Sequence, residues 1–182
     1  IIFARGGYGS LRLLPLINYS LIKKNPKILV GFSDITALQF AVLRNSQLVT
    51  YSGPMAAVEF GAVRVNKLTG DHLWSILSGR EDANCLSKYN KDRLETLHPG
   101  SAEGHLVCGC LTVINSFVGT RYCPDLTGAI LVIEDVGEEP YKLDRAVTTL
   151  DLHGVFDKIN ALVLGSFVNC RSSKVSDKDV TI

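Results

Sequence analysis

Short apolar runs alternate with stretches of helical period along this chain, and that alternation narrows its fold more than any other feature. Leu29-Val30, Leu48-Val49-Thr50-Tyr51, Gly128 to Val136 and Ala161-Leu162-Val163-Leu164-Gly165 each read as a buried strand. They are too short for an amphipathic helix and are bounded by turn residues. Between them, Ile35, Leu38 and Val42 recur at i, i+3 and i+7, which makes one helical face. Leu111, Ile114 and Phe117 make a second such face and end before Gly119. Leu143, Val147 and Leu150 make a third, opened by Pro140 and closed by Gly154, the expected placing of Pro inside a helix start and Gly beyond its end. Parallel strands need a crossover between them, and a helix supplies it. The expected fold is therefore α/β, with a parallel sheet and helices on its faces.

A more polar interval, residues 61–100, divides this pattern. Ser78-Gly79-Arg80-Glu81-Asp82-Ala83-Asn84 and His98-Pro99-Gly100 read as breaks. The expected organisation is a parallel-sheet domain over 1–77, a linker over 78–100 and a second, smaller α/β domain over 101–182. Residue 1 is Ile rather than Met, and Ile1-Ile2-Phe3-Ala4 reads as the tail of a strand. Lys178-Asp179-Val180-Thr181-Ile182 stops without a cap or polar tail. Both domains are accordingly expected to be partial, cut at the two ends of the chain.

A net charge of +1 and the lack of a basic tract give no electrostatic case for nucleic acid. The longest apolar runs fall far short of a membrane span. Five cysteines, Cys85, Cys108, Cys110, Cys123 and Cys170, form no C-x-x-C pair. Buried free thiols in a reducing cytoplasm are expected rather than a disulfide framework or a metal site.

The stretch KILVGFSDITAL, residues 27–38, places Ser33 where a strand turns into a helix. Two readings stay open. Ser33 is an N-cap whose oxygen accepts a backbone N–H, or it is a nucleophile raised on a tight elbow. The G-x-S-x-G pattern is incomplete, because Ile35 stands where a second Gly would be. Upstream, Arg5-Gly6-Gly7-Tyr8-Gly9-Ser10 follows the opening strand. It lacks the Lys-Ser/Thr of a P-loop and the spacing of a dinucleotide fingerprint. Both segments fall at strand carboxyl ends, where ligand sites of parallel sheets gather.

Taken together, RGGYGS (5–10), VGFSDITAL (30–38) and YSGPM (51–55) resemble the LD-carboxypeptidase family, the muramoyltetrapeptide carboxypeptidase group of serine peptidases. Gly119-Thr120, Pro124-Asp125-Leu126, Ile133-Glu134-Asp135-Val136-Gly137-Glu138, Pro140-Tyr141 and Asp144-Arg145 stand in the family's order. Two departures are visible. Cys108-Gly109-Cys110-Leu111 replaces a common Gly-Gly-Asn-Leu, and Ser52 replaces a His common before Gly-Pro.

The resemblance implies Ser33 as nucleophile and Glu134 as the acid of a Ser-His-Glu triad. Backbone N–H groups of Asp34 and of the Gly6-Gly7 loop would form the oxyanion hole. A Ser hydroxyl needs a His to take its proton, and a carboxylate holds that His in the right tautomer. The implied substrate is a murein tetrapeptide that loses its terminal D-alanine in cell-wall recycling. No metal or cofactor is implied, the enzyme is cytoplasmic, and a homodimer is compatible with it. The family's His follows the acid by several dozen positions, so none of His72, His98, His105 or His153 is assigned. Arg5 has two readings, a substrate-carboxylate partner or a structural ion pair, and Asp144-Arg145 is read as structural. Two rivals remain: a microcin-resistance-type peptidase cleaving a peptidyl-nucleotide amide, and a ligand-binding module without chemistry.

Overall fold

The computed structural model describes residues 1–80 and 94–172. The polar stretch from Glu81 to Asn84, Cys85 and the closing Lys178–Ile182 segment lie outside the described residues. The architecture is α/β, built on two parallel sheets. In the first part, Ser10–Leu13 (α1) runs through a 3-10 turn, Leu14–Leu16, and Tyr19–Lys24 forms α2. Pro15 opens that 3-10 turn, in line with a helix interrupted there. Val30–Gly31 (β1) pairs in parallel with Tyr51–Ser52 (β2), and Thr36–Ser46 (α3) crosses between them. The opening residues extend this sheet through a parallel bridge from Ile2 to Val30.

The helix Lys67–Leu77 (α4) lies in the polar interval where the sequence pattern marks no element. Asn66 caps it, its side chain accepting the Thr69 N–H at 3.3 Å. Only Leu73 of this helix is buried, so its apolar stripe is too thin to stand out in the sequence.

In the second part, Leu106–Cys110 (β3), Ile130–Val136 (β4) and Ala161–Val168 (β5) form a smaller parallel sheet in the order β3-β4-β5. Leu111–Phe117 (α5) and Pro140–Leu152 (α6) make the crossovers. One hydrophobic cluster joins the two parts: Leu14, Ala37, Phe40 and Ala41 pack with residues of the second sheet and its helices. Phe40 meets Phe117 edge-on, with ring centroids 5.8 Å apart, an arrangement worth about 1 kcal/mol beyond the area it buries.

Three expectations about burial change. Helix α3 is not buried on the Ile35/Leu38/Val42 stripe alone. Ala37, Gln39, Phe40 and Ala41 are buried as well, because the helix lies between its own sheet and α5. On α6, Ala146 rather than Val147 joins Leu150 inside, and Val147 is 38% exposed. Strand β5 forms where expected, but Leu162, Val163 and Leu164 are exposed. It is the outer strand of its sheet, and a continuous apolar run does not say what covers it. Among the described residues, no helix is long and apolar enough to cross a membrane.

Candidate active site

The carboxyl ends of the opening strand, β1, β2, β3 and β4 converge, and the residues singled out for chemistry stand along that edge. Ser33 follows β1 at the start of a 3-10 turn, Ser33–Ile35, that leads into α3. Its backbone has φ 61°, in the left-handed region. A non-Gly residue there costs of order 1–3 kcal/mol and persists only where its surroundings hold it. The capping position belongs to Phe32, and no side chain caps this turn. The N-cap reading of Ser33 therefore has no hydrogen bond behind it. The backbone is instead bent so that the side chain leaves at the corner.

Gly6 packs directly on that corner. A methyl group at Gly6 would stand 3.0 Å from both Cβ and Oγ of Ser33 and 3.4 Å from the Asp34 nitrogen. Only a hydrogen fits without displacing something. The loop is held in place by Asp34, whose Oδ2 accepts the Ser10 N–H at 3.0 Å and the Ser10 hydroxyl at 2.7 Å. Ser10 is 7% exposed, and hydrogen bonds to a carboxylate are roughly twice as strong as neutral ones. Thus Asp34, expected only as a backbone donor, also ties the Gly6–Gly9 loop to the elbow. Gly7, with φ 116°, supplies the turn. Arg5 is exposed at the mouth of this loop.

Glu134 stands near the end of β4, paired across the sheet with Cys110. The register of β4 with β5 slips between Ile133 and Asp135, so Glu134 sits at a bulge. Irregularities of this kind re-aim a side chain and are enriched beside active sites. Gly165 leaves room there, a methyl at that position falling 3.3 Å from Glu134 Cβ. The Oε1 atom of Glu134 is buried and has no hydrogen-bond partner among the described residues. Burial pushes the carboxyl above its ordinary range, and the charge of Asp135 adds to this.

Asp135 does different work. It is 3% exposed, continues the buried Leu131/Ile133 face, and caps α5 by accepting the Thr112 N–H at 2.9 Å. Its Oδ1 also accepts from the Cys110 thiol at 3.4 Å. The neighbouring carboxylates thus serve opposite faces of one strand.

The thiols at Cys108 and Cys110 lie on the seam between the sheets. Burial pushes Cys110 up to about 11, partly offset by its hydrogen bond with Thr112. Cys108 is raised chiefly by burial, partly offset by Ser52 on β2. Both are protonated, poorly nucleophilic thiols near neutral pH. Cys108, Cys110, Cys123 and Cys170 are all free.

The histidines are scattered. His153 ends α6 with Nδ1 2.9 Å from the Thr149 carbonyl oxygen. A helix of that length carries it roughly 18 Å back from the carboxyl edge. His105 immediately precedes β3, at the opposite edge from Glu134. His98 is exposed in the stretch beside the start of β5, and His72 is half-buried on α4.

The sequence and the fold have parallels among known proteins. The N-terminal domain model of the LD-carboxypeptidases matches residues 1–53 and the C-terminal domain model matches residues 103–181. A probable murein peptide carboxypeptidase of Bacillus subtilis is 37% identical over 172 residues, 93% of this chain and 52% of that protein. The crystal structure of a muramoyltetrapeptide carboxypeptidase from Oxalobacter formigenes superposes with a TM-score of 0.80 at 32% identity, covering 98% of this chain and 58% of that one. The microcin C7 self-immunity protein gives a TM-score of 0.79 at 27% identity, with 98% and 60% coverage.

The expectation of a family fragment lacking both termini is corrected to a family match that runs across nearly the whole of this chain. The likeness extends over 93% of the chain by sequence and 98% by structure, and the two domain models begin at residue 1 and end at residue 181. The chain spans about half the length of the curated relatives it matches, at 52% and 54% for two of them. Both LD-carboxypeptidase domain models match in order along this one chain, and the chain therefore belongs to the LD-carboxypeptidase family.

Proposed function

We propose that the chain supplies the nucleophile and the acid of a cytoplasmic serine LD-carboxypeptidase, which hydrolyses the L,D bond that releases terminal D-alanine from murein tetrapeptides. The observation that carries this reading is the left-handed Ser33 packed on Gly6, a strained corner with a hydroxyl and backbone donors side by side. Ser33 Oγ attacks the carbonyl carbon of the scissile bond and gives up its proton to an imidazole. The oxygen of the resulting tetrahedral intermediate takes hydrogen bonds from the N–H of Asp34 and from the Gly6-Gly7 loop. Collapse breaks the C–N bond, the D-alanine amine leaves with the proton, and water then hydrolyses the acyl-enzyme.

Glu134 orients that imidazole. Its unpartnered, buried Oε1 is an acceptor whose desolvation is uncompensated until a donor arrives. None of His72, His98, His105 or His153 is assigned as that imidazole.

The test is Ser33→Ala in the gene product as the cell makes it, assayed by chromatography of D-alanine released from a murein tetrapeptide. Turnover falls about 10⁴-fold or more, as on removing the nucleophile of a triad. Wild-type turnover would leave Ser33 a structural residue. Cleavage of a peptidyl-nucleotide amide in place of the tetrapeptide would assign the site to the substrate class of the microcin-resistance peptidases.

A further inference from the structure

The two halves of the site belong to different sheets, so some contact has to fix how far Ser33 stands from Glu134. We infer that Thr36 does this, as a positioning residue acting through the end of β3. The inference rests on the reading of Ser33 and Glu134 as nucleophile and acid.

Thr36 lies three residues beyond Ser33, at the first turn of α3, and is 0% exposed. A buried hydroxyl requires a hydrogen-bond partner. Its Oγ1 accepts the N–H of Cys110 at 3.3 Å, across 74 positions of sequence. Cys110 is the β3 residue paired with Glu134. One side chain therefore reaches from the elbow to the residue beside the acid.

The geometry of β3 explains why a side chain is needed. In the described sheet β3 has a partner on one side only, β4. Alternate residues of such an edge turn their N–H and C=O away from the sheet. The outward N–H of Cys110 meets no backbone acceptor in β2, whose pairing is with β1, and the Thr36 hydroxyl takes that place.

The apolar half of the same side chain fixes the approach. A methyl at Gly109 would overlap Thr36 Cγ2 and lie 3.0 Å from Oγ1 and 3.3 Å from Cβ. The strand and the helix start thus meet with no spare layer of atoms between them. Threonine at that point favours the helix less than alanine does, by about 0.5 kcal/mol, so local propensity does not account for it. A small error here is transmitted to the reacting groups. Misplacement of about 1 Å, even by a change away from the chemistry, costs up to about 100-fold in rate.

The experiment compares Thr36→Val, which removes the hydroxyl at constant shape, with Thr36→Ser, which keeps it. Both are assayed for D-alanine release in the whole gene product, with Ser33→Ala in parallel and thermal melts for each. The expected result is a kcat lowered about 10- to 100-fold in Thr36→Val with KM within about twofold. In Thr36→Ser, kcat stays within about threefold of wild type. Thr36→Ala, which is better suited to a helix, makes the same comparison if the valine chain does not fold. A merely structural Thr36 would lower the melting temperature and leave kcat alone well below it. Wild-type kcat in Thr36→Val or Thr36→Ala, alongside an inactive Ser33→Ala, overturns the role of Thr36 and leaves the functional reading standing. An active Ser33→Ala overturns both.

Discussion

The serine corner and the glutamate strand end hold their chemical groups by opposite means. Ser33 is fixed by its own backbone. Its φ of 61° is held by near neighbours, the Gly6 loop and the Asp34–Ser10 hydrogen bonds, all within the first 34 residues. Glu134 is fixed by pairing. Cys110 on one side and a slipped register with β5 on the other decide where it points. The corner keeps its hydroxyl next to donors, while the strand end keeps a carboxylate oxygen buried with no donor. One half of the site is complete in its own segment. The other half leaves an acceptor that, in the proposed reading, receives a group.

After the loss of Ser33 itself, the largest expected effect breaks the comparison at the receiving half. Glu134→Gln lowers turnover about 10³- to 10⁴-fold with little change in KM, as loss of the orienting carboxylate does in a triad. Asp135→Asn lowers turnover far less, and its cost appears in thermal melts, because Asp135 caps α5. Steady-state kinetics that reversed this order would exchange the roles of the two carboxylates.

A smaller effect sharpens the other half. Gly6→Ala sets a methyl 3.0 Å from Ser33 Oγ and so displaces the loop. The expected loss in kcat is about 100-fold, the scale for one misplaced oxyanion donor. Wild-type kcat in the Gly6→Ala variant would remove Gly6 from the site.

The smallest effect is one of pH. Glu134 is raised in the folded chain above its ordinary 4.5, so the folded state holds the proton more tightly than the unfolded state does. Stability therefore falls as pH rises from 4.5 through the raised value, and the full penalty is present above it. Glu134→Gln abolishes that penalty. It should melt slightly higher than wild type at neutral pH, the gain being small because solvent reaches part of the carboxyl. The gain should vanish below pH 4.5, and an equal gain at both pH values would show that charge burial is not its cause.

The unequal construction of the two halves also explains what the sequence makes legible. Ser33, Gly6 and Gly7 stand in short local patterns, and their placement follows from a strand turning into a helix. The side-chain role of Asp34 is not legible there, because a carboxylate gripping Ser10 requires the two loops to be adjacent in space. Both residues are visible, but nothing in their 24-residue separation marks a contact. For Glu134 the sequence shows a strand ending in two acids. Which acid faces which way depends on the alternation along β4, and the slip in register depends on β5. Helix α4 escapes a reading by pattern because one buried leucine makes no stripe. The exposure of β5 escapes it because an apolar run records preference for burial, not the presence of a cover.

With Ser33 as the proposed nucleophile, its left-handed turn also limits which nucleophiles this lineage can try. A branch at Cβ is a severe outlier at positive φ, so a threonine hydroxyl cannot be exchanged for the serine by a single substitution without unbending the corner. Cysteine, unbranched and of similar size, fits the same backbone. The alphabet of covalent chemistry open to the fold is thus set by one dihedral angle: substitution can drift between oxygen and sulfur, but not to a secondary alcohol.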